Sequence, residues 1–287
     1  MTYLPKISVV TPSLNMGRFI EDAVLSVVKQ GYPNFEHIVV DACSQDNTLD
    51  VLRSYPHVRW LSEPDGGQSD ALNKGFRMAT GELVGWLNAD EYYLPGAFHA
   101  VGRFATDNPG ADILYGDTIF VDGEGRLQRA KKEHEFSFPV LLYYGCFIPT
   151  DATFFRRHFI EENSFIDTNY RVVMDFEYFV RCAASGRHFN YINRLLGSFR
   201  RHGSNISCLQ IEKKREERLL VQRTWSRLKL PDRGYDALGQ LARFYHGGLK
   251  VLNGNYRGEL RALQWRGSET RWFRNEEGRK TCATLLS

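Results

Sequence analysis

Apolar residues recur along the first 120 positions in two alternating rhythms. Short runs rich in β-branched residues read as buried strands: ISVVT (7–11), HIVVD (37–41), VRWLS (58–62) and ELVGWLN (82–88). Each run gives way to helical spacing. In RFIEDAVLSVVKQ (18–30), Phe19, Ala23, Val24, Val27 and Val28 share one face; LDVLRSY follows Asp46-Asn47-Thr48; SDALNKGFRMA spans 69–79; and PGAFHAVGRFA opens on Pro95. Four βα units in succession predict a Rossmann-like α/β fold, with a mostly parallel central sheet and helices on both faces. Beyond residue 110 the rhythm changes. ADILYGDTIFVD and RLQRA, joined at a DGEG turn, predict an antiparallel hairpin; a helix follows over 172–186, then two short strands, FNYIN and LLGSFRR. After Asn205 the pattern is helical and basic.

This alternation says where chemistry belongs. In open α/β sheets ligands bind at the carboxyl ends of the strands, where loops and helix N-termini meet. The strand tips here are polar: Thr11-Pro12-Ser13-Leu14-Asn15, Asp41, the Gly-rich EPDGGQSD stretch, and Asn88-Ala89-Asp90-Glu91. All four are expected on one rim, with the later half of the chain as the second wall of a cleft.

Composition narrows the class. With 287 residues, 43% apolar and 25% charged, the chain reads as a soluble globular protein with one large domain and an extension. The net charge of +3 conceals an asymmetry: from Ile206 onward 17 Lys and Arg face 9 Asp and Glu, against 20 and 25 before it. Trp225, Phe244, Tyr245, Trp265, Trp272 and Phe273 stand among those basic residues, as in segments that rest on an anionic lipid surface; the plainer reading is a solvated face packed on the body. Nucleic-acid binding is not expected, because no DNA- or RNA-reading motif accompanies the charge. Five cysteines without a CxxC pair argue against a disulfide framework or zinc knuckle, and a reducing cytoplasm is the expected setting. The longest apolar stretch, FPVLLYYGCFIP, is too short to span a bilayer, and no secretory leader is expected at the N-terminus.

VVTPSLN, VVDACSQDNT, SEPDGGQSDALNKG, ATGELVGWLNADE, MDFEYFVR and FRRHGSNIS, in this order over residues 5 to 207, resemble the family 2 glycosyltransferases, inverting enzymes of GT-A fold. The resemblance implies a catalytic domain over 1–207, with a nucleotide-binding half (1–110) and an acceptor-binding half (111–207), and leaves 208–287 as a basic helical C-terminal extension. It implies a nucleotide-sugar donor, a UDP-sugar foremost, and a glycan or lipid-linked saccharide acceptor. A diphosphate brought to an acidic rim needs a divalent cation between them, and Mn²⁺ or Mg²⁺ takes oxygen ligands while keeping places for phosphate and water. Asp90 matches the family's metal-binding aspartate, and His202 matches a histidine that reaches the metal or the diphosphate. Asn88 stands where many members have a first aspartate. Thr11, Pro12, Ser13 and Asn15 carry over as nucleoside contacts, Asp41 as the acceptor for the base, and Asp65, Gln68 and Asp70 as ribose and phosphate contacts. Arg200 and Arg201 are expected to offset phosphate charge. Asp175 aligns with the catalytic base, with Glu177 in reserve. Structural roles stand beside these: a solvated turn for Asp90 and Glu91, a cap for Asp41, a helix-dipole partner for Asp175. The alternative function is a catalytically silent sugar-nucleotide-binding or scaffold protein, and Asn88 is its best support. Contact with the membrane, where it occurs, would be peripheral and at its inner face.

Overall fold

The computed structural model describes residues 3–158, 160, 165–203, 205 and 210–286. Strands β1 (Ile7–Ser13), β2 (Phe35–Asp41), β3 (Val58–Ser62) and β4 (Leu83–Trp86) pair in parallel in the order β3-β2-β1-β4. Helices α1 (Ile20–Val28), α2 (Thr48–Arg53), α3 (Gln68–Met78) and α4 (Ala97–Asp107) alternate with them. The period-2 alternation of a strand explains how one short run supports both layers. Ile7 and Val9 join Ala23, Val27 and Phe98 on the α1–α4 side, while Val10 faces Leu72 and Phe76 of α3. α3 lies close enough that a Cβ added at Gly75 would overlap Val10.

Register decides what the rim contains. Ser13 pairs with Asp41 and Asp41 with Ser62, so the carboxyl ends of three strands stop level with one another. β4 lies on the opposite side of β1 from β2, which makes the gap between β1 and β4 the topological switch point. The loops 11–15 and 88–91 flank it.

The second half extends the same sheet. β5 (Tyr92–Tyr93), β6 (Ile113–Val121), β7 (Leu127–Lys131), β8 (Thr153–Arg156) and β9 (Phe189–Arg200) continue it as β4-β8-β6-β9-β5, with β7 paired to β6 as the expected hairpin. The two short strands expected over 189–201 are one strand: β9 runs through Asn193 and Arg194, and register shifts against β6 at Gly116–Thr118 absorb the break in alternation. β5 and β8 were not legible as strands, because runs of two and four residues carry no period to read. Helix α5 (Met174–Ala184) packs beneath the later half of the sheet, with Phe176, Phe179 and Val180 in the main core.

The extension forms α6 (Ile211–Trp225), α7 (Asp232–Leu252), α8 (Asn255–Ala262) and α9 (Glu276–Leu286). The boundary drawn at 207/208 lies outside the described residues. No described helix is long and apolar enough to cross a membrane. The tail is tied to the body through Arg274 on Asp22 (2.6 Å), Trp272 Nε1 on the Tyr93 carbonyl (3.1 Å) and Gln222 on the Leu142 carbonyl (2.9 Å).

A histidine pair makes a further joint: His134 Nε2 and His246 Nδ1 are 2.7 Å apart, and His134 Nδ1 is 2.6 Å from the Glu135 carbonyl. A carbonyl accepts only, so Nδ1 of His134 carries the proton, and its Nε2 must accept from His246. Protonating His134 would require His246 to carry its proton on Nε2 instead, so that Nδ1 accepts. Burial above all, with the charges of His134, Lys250 and Lys131, holds the His246 imidazole down to about 3, and burial lowers His134 as well. Between about pH 6.5 and the folded value, the unfolded chain binds protons that the folded chain refuses. Stability is therefore intact above that window and falls as pH drops through it, by up to about 1.4 kcal/mol per pH unit per histidine. Thermal melts at pH 7.5 and 5 should show a smaller pH-dependent loss for His246→Asn than for the native chain; parallel curves would exclude the pair as the cause.

Candidate active site

A cavity of about 400 Å³ opens at the switch point, lined from the first half by Pro12, Ser13, Ala42, Asp65, Gln68, Asn88 and Asp90, and from the second by Arg171, Asp175 and His202. Residues as far apart as Pro12 and His202 therefore share one wall-to-wall space. Asp90 and Asp175 line the same cavity, whereas Asp41, expected to converge with them, does not.

Asp90 sits in a tight turn closed by Glu91 N–H on the Asn88 carbonyl (3.0 Å). Its backbone carbonyl accepts from Arg200 Nε (2.7 Å), and its Oδ2 lies 2.8 Å from His202 Nε2 and 3.4 Å from Asn205 Nδ2. Glu91, beside it, is 1% exposed; burial first, then the charges of Asp151 and Asp90, push its carboxyl well above the ordinary range.

Asn88 has a defined orientation. Its Oδ1 accepts from Trp86 Nε1 (2.9 Å) and Gln68 Nε2 (2.7 Å). The indole N–H donates only, so the amide oxygen is the atom turned to it, and the amino group is left as the donor of Asn88. Asn88 lines the cavity with its oxygen already shared by two donors.

Asp175 occupies the first turn of α5, half-buried. Burial raises its carboxyl above the ordinary carboxylate value, and the Phe176 N–H, the Lys214 charge and the Cys146 thiol pull the other way. Glu177, the reserve candidate, is 4% exposed and clamped by Arg181 at 2.8 and 3.0 Å, which makes it a structural ion pair.

Four expected contacts do not line the cavity. Thr11 is buried with its hydroxyl 2.9 Å from His37 Nε2. Asp41 is also buried, accepting from Ser44 N–H (2.9 Å), Ser44 Oγ (2.5 Å) and Ser62 Oγ (2.7 Å); the wall here is Ala42. Asn15, in left-handed backbone at φ 53°, gives its N–H to Ser44 Oγ (2.7 Å) and takes that of Gln45 (2.8 Å). Asp70 accepts from Gly66 N–H (2.9 Å) and leans on Lys74. These residues shape the two loops, while Pro12 and Ser13 reach the cavity, Ser13 Oγ being buried there without a partner.

Arg200 and Arg201 do not serve the cavity as expected. Arg200 is 1% exposed and fully spent on Asp22 (2.6 Å) and the carbonyls of Gly123 and Asp90, since only that network offsets its burial. Arg201 stacks on Phe120, 4.5 Å from the ring centroid. The cation that does line the cavity is Arg171, which also bonds the Gly66 carbonyl across the cleft. It stands four residues before Asp175, and no spacing signal marked it. Glu217 of α6 was likewise missed: its carboxylate accepts the consecutive N–H groups of Arg171, Val172 and Val173 (3.0, 2.9 and 3.0 Å), fixing the approach to Asp175 from outside the stretch of resemblance.

The donor set suits a hard cation only in part by itself. No group of three or more His, Cys, Asp or Glu converges among the described residues, yet Mg²⁺-type ions are commonly held by one or two side chains plus substrate phosphate. Asp90 supplies one carboxylate of that kind, with His202 Nε2 2.8 Å from its Oδ2.

Comparison with known proteins agrees with this architecture. The family model described as Glycosyl transferase family 2 matches residues 8–181. An uncharacterised glycosyltransferase of Nostoc sp. is 29% identical over 218 residues, 70% of this chain and 66% of its own. The putative teichuronic acid biosynthesis glycosyltransferase TuaG of Bacillus subtilis is 42% identical over 93 residues, 30% of this chain. The matches thus span just under two thirds of the Nostoc relative's length and 36% of the Bacillus one's. Among solved structures, S. aureus TarS 1-349 in complex with UDP superposes with a TM-score of 0.63 at 20% identity, covering 87% of this chain and 74% of that one. A mannosyltransferase from Pyrobaculum calidifontis, in complex with GDP-Man and Mn²⁺, gives 0.59 at 18%, covering 99% and 86%. With the family match running from β1 into α5, the chain belongs to glycosyl transferase family 2 and has a GT-A fold.

Proposed function

We propose that this chain is a glycosyltransferase and moves a sugar, with inversion, from a nucleotide donor to a hydroxyl of a glycan or lipid-linked saccharide, in assembly of an envelope polysaccharide or glycolipid. One observation carries the reading: Asp90 and Asp175, 85 positions apart in sequence, line the same cavity at the switch point. Residues 1–110 hold the donor in this reading and 111–207 the acceptor, with 208–287 as the extension. A UDP-sugar is favoured, in keeping with the UDP complex of the TarS neighbour.

The chain's own groups divide the work. Pro12, Ser13 and Ala42 face the nucleoside, and Asp41 with Thr11 and Asn15 keeps their loops in shape. Asp65 and Gln68 approach the ribose and phosphates, with Asp70 bracing the glycine turn. The Asn88 amide and Arg171 donate to phosphate or sugar oxygens, which counters an otherwise carboxylate-rich floor. Asp90 and His202 would hold Mn²⁺ or Mg²⁺. Bound there, such an ion screens the diphosphate and stabilises charge on the departing nucleotide. Asp175 takes the acceptor hydroxyl's proton as that oxygen attacks the anomeric carbon and the bond to the diphosphate breaks. Peripheral contact with the inner face of the membrane belongs to the same reading.

Incubation with UDP-, GDP- and dTDP-sugars and Mn²⁺ should single out one donor that raises the melting temperature and is consumed when a glycan or lipid-linked saccharide is added. Binding without Mn²⁺-dependent consumption would instead mark a silent sugar-nucleotide-binding protein.

A further inference from the structure

Helix α7 buries Tyr235, Ala242, His246 and Lys250 against the body. Its other side is unused by the site. There Leu241, Phe244, Tyr245, Val251 and Leu252 are 65%, 78%, 56%, 65% and 84% exposed, at spacings that set them on one helix face. On α8, Leu260 is 65% exposed between Arg257 and Arg261, also exposed. Single exposed leucines need no explanation, but a continuous stripe of this size marks a surface that something covers.

Charge identifies the cover. Arg233 lies at the edge of the same stripe of α7, and Arg257, Arg261 and Arg266 are exposed along the segment that follows. The acids of residues 233–266 are engaged internally: Asp236 with Arg215 (3.1 Å) and Glu259 with Lys250 (2.5 Å) and the Lys132 N–H (2.9 Å). The free charge on this face is therefore basic. A second copy of the chain docking by its own matching patch would bring arginines against arginines. An apolar stripe framed by arginines instead matches the boundary between headgroups and acyl chains of an anionic bilayer.

We propose that the outer face of α7 and α8 seats the enzyme on an anionic lipid bilayer, with α7 lying in the plane of the membrane. This deepens the proposed function, because a lipid-linked acceptor presents its hydroxyl at that surface. The inner face of α7 supports the link: His246 stacks on Tyr144 at 4.6 Å, and Cys146, two residues on, lies beside Asp175. The face that meets lipid is mounted on the acceptor side of the cavity.

Cosedimentation of the full chain with vesicles tests the proposal. Vesicles of phosphatidylcholine with one-third phosphatidylglycerol should pellet the native protein, pure phosphatidylcholine should pellet far less, and raised salt should weaken the binding. Phe244→Ser with Leu252→Ser should weaken binding at least tenfold without lowering the melting temperature, since both residues are exposed. Equal binding by the double variant, or no binding of the native chain to anionic vesicles, overturns the proposal. So does a dimer, seen by light scattering, that the double variant dissolves. Donor consumption in detergent-free solution is scored alongside: its absence with vesicle binding intact would sink the transferase mechanism and leave the membrane face standing.

Discussion

Asp175→Asn is expected to lower sugar transfer by about 10²- to 10⁴-fold while leaving nucleotide affinity essentially unchanged. The substitution keeps shape and removes basicity. Asp175 sits in the first turn of α5 on the cavity wall. Glu177 offers no rescue, since Arg181 holds it on both oxygens. The same residue sets the pH profile. Burial raises the Asp175 carboxyl, and a base must be deprotonated, so kcat/KM should fall as pH drops, with its midpoint above the usual carboxylate range. The residual rate of the asparagine variant should lack that limb. Single-turnover rates and UDP calorimetry check both points, and near-native transfer by the variant would remove Asp175 from the base role.

Arg200→Met should cost about 3 kcal/mol of folding stability, toward the low end for removing one partner of a buried ion pair. Arg200 is 1% exposed and Asp22 2%, and their contact is 2.6 Å. The loss is moderated because Arg274 remains on Asp22 at 2.6 Å and Arg271 stands 3.6 Å away. It is aggravated because the carbonyls of Asp90 and Gly123 lose their donor together. Urea unfolding should show a lower midpoint at unchanged slope. A loss below about 1 kcal/mol would mean that the network is balanced by its own desolvation. Since Arg200 holds the Asp90 carbonyl, Mn²⁺-dependent UDP binding should weaken in the same variant, even though the arginine touches no ligand.

The two halves of the site differed in how far they could be read from the sequence. The strand tips that carry Pro12-Ser13 and Asp90 were visible because they end elements whose period is plain, and such ends are where α/β sheets gather their ligands. Asp175 was singled out through the family resemblance of MDFEYFVR. Asp41 looked equivalent, yet its pairing with Ser44 and Ser62 turns it inward, and only the crossing of two loops determines that. Arg200 and Arg171 make the opposite pair. Neighbouring charges in FRRHG gave no indication that one arginine would be buried on Asp22, 178 residues away. Nor did NYRVV indicate that Arg171 would reach the cavity.

What the amino-acid order determined by itself was local: four βα repeats, a hairpin, the amphipathic helix bearing Asp175, and the basic character of the tail. These follow from side-chain period and turn chemistry, which act over a few residues. Tertiary structure alone decided which carboxylates face the cavity, which are spent on buried partners, that Glu217 of the tail braces the approach to the base, and that one face of α7 stays uncovered. Those outcomes depend on contacts between residues tens to hundreds of positions apart, where burial makes a polar group either find a partner or face open space.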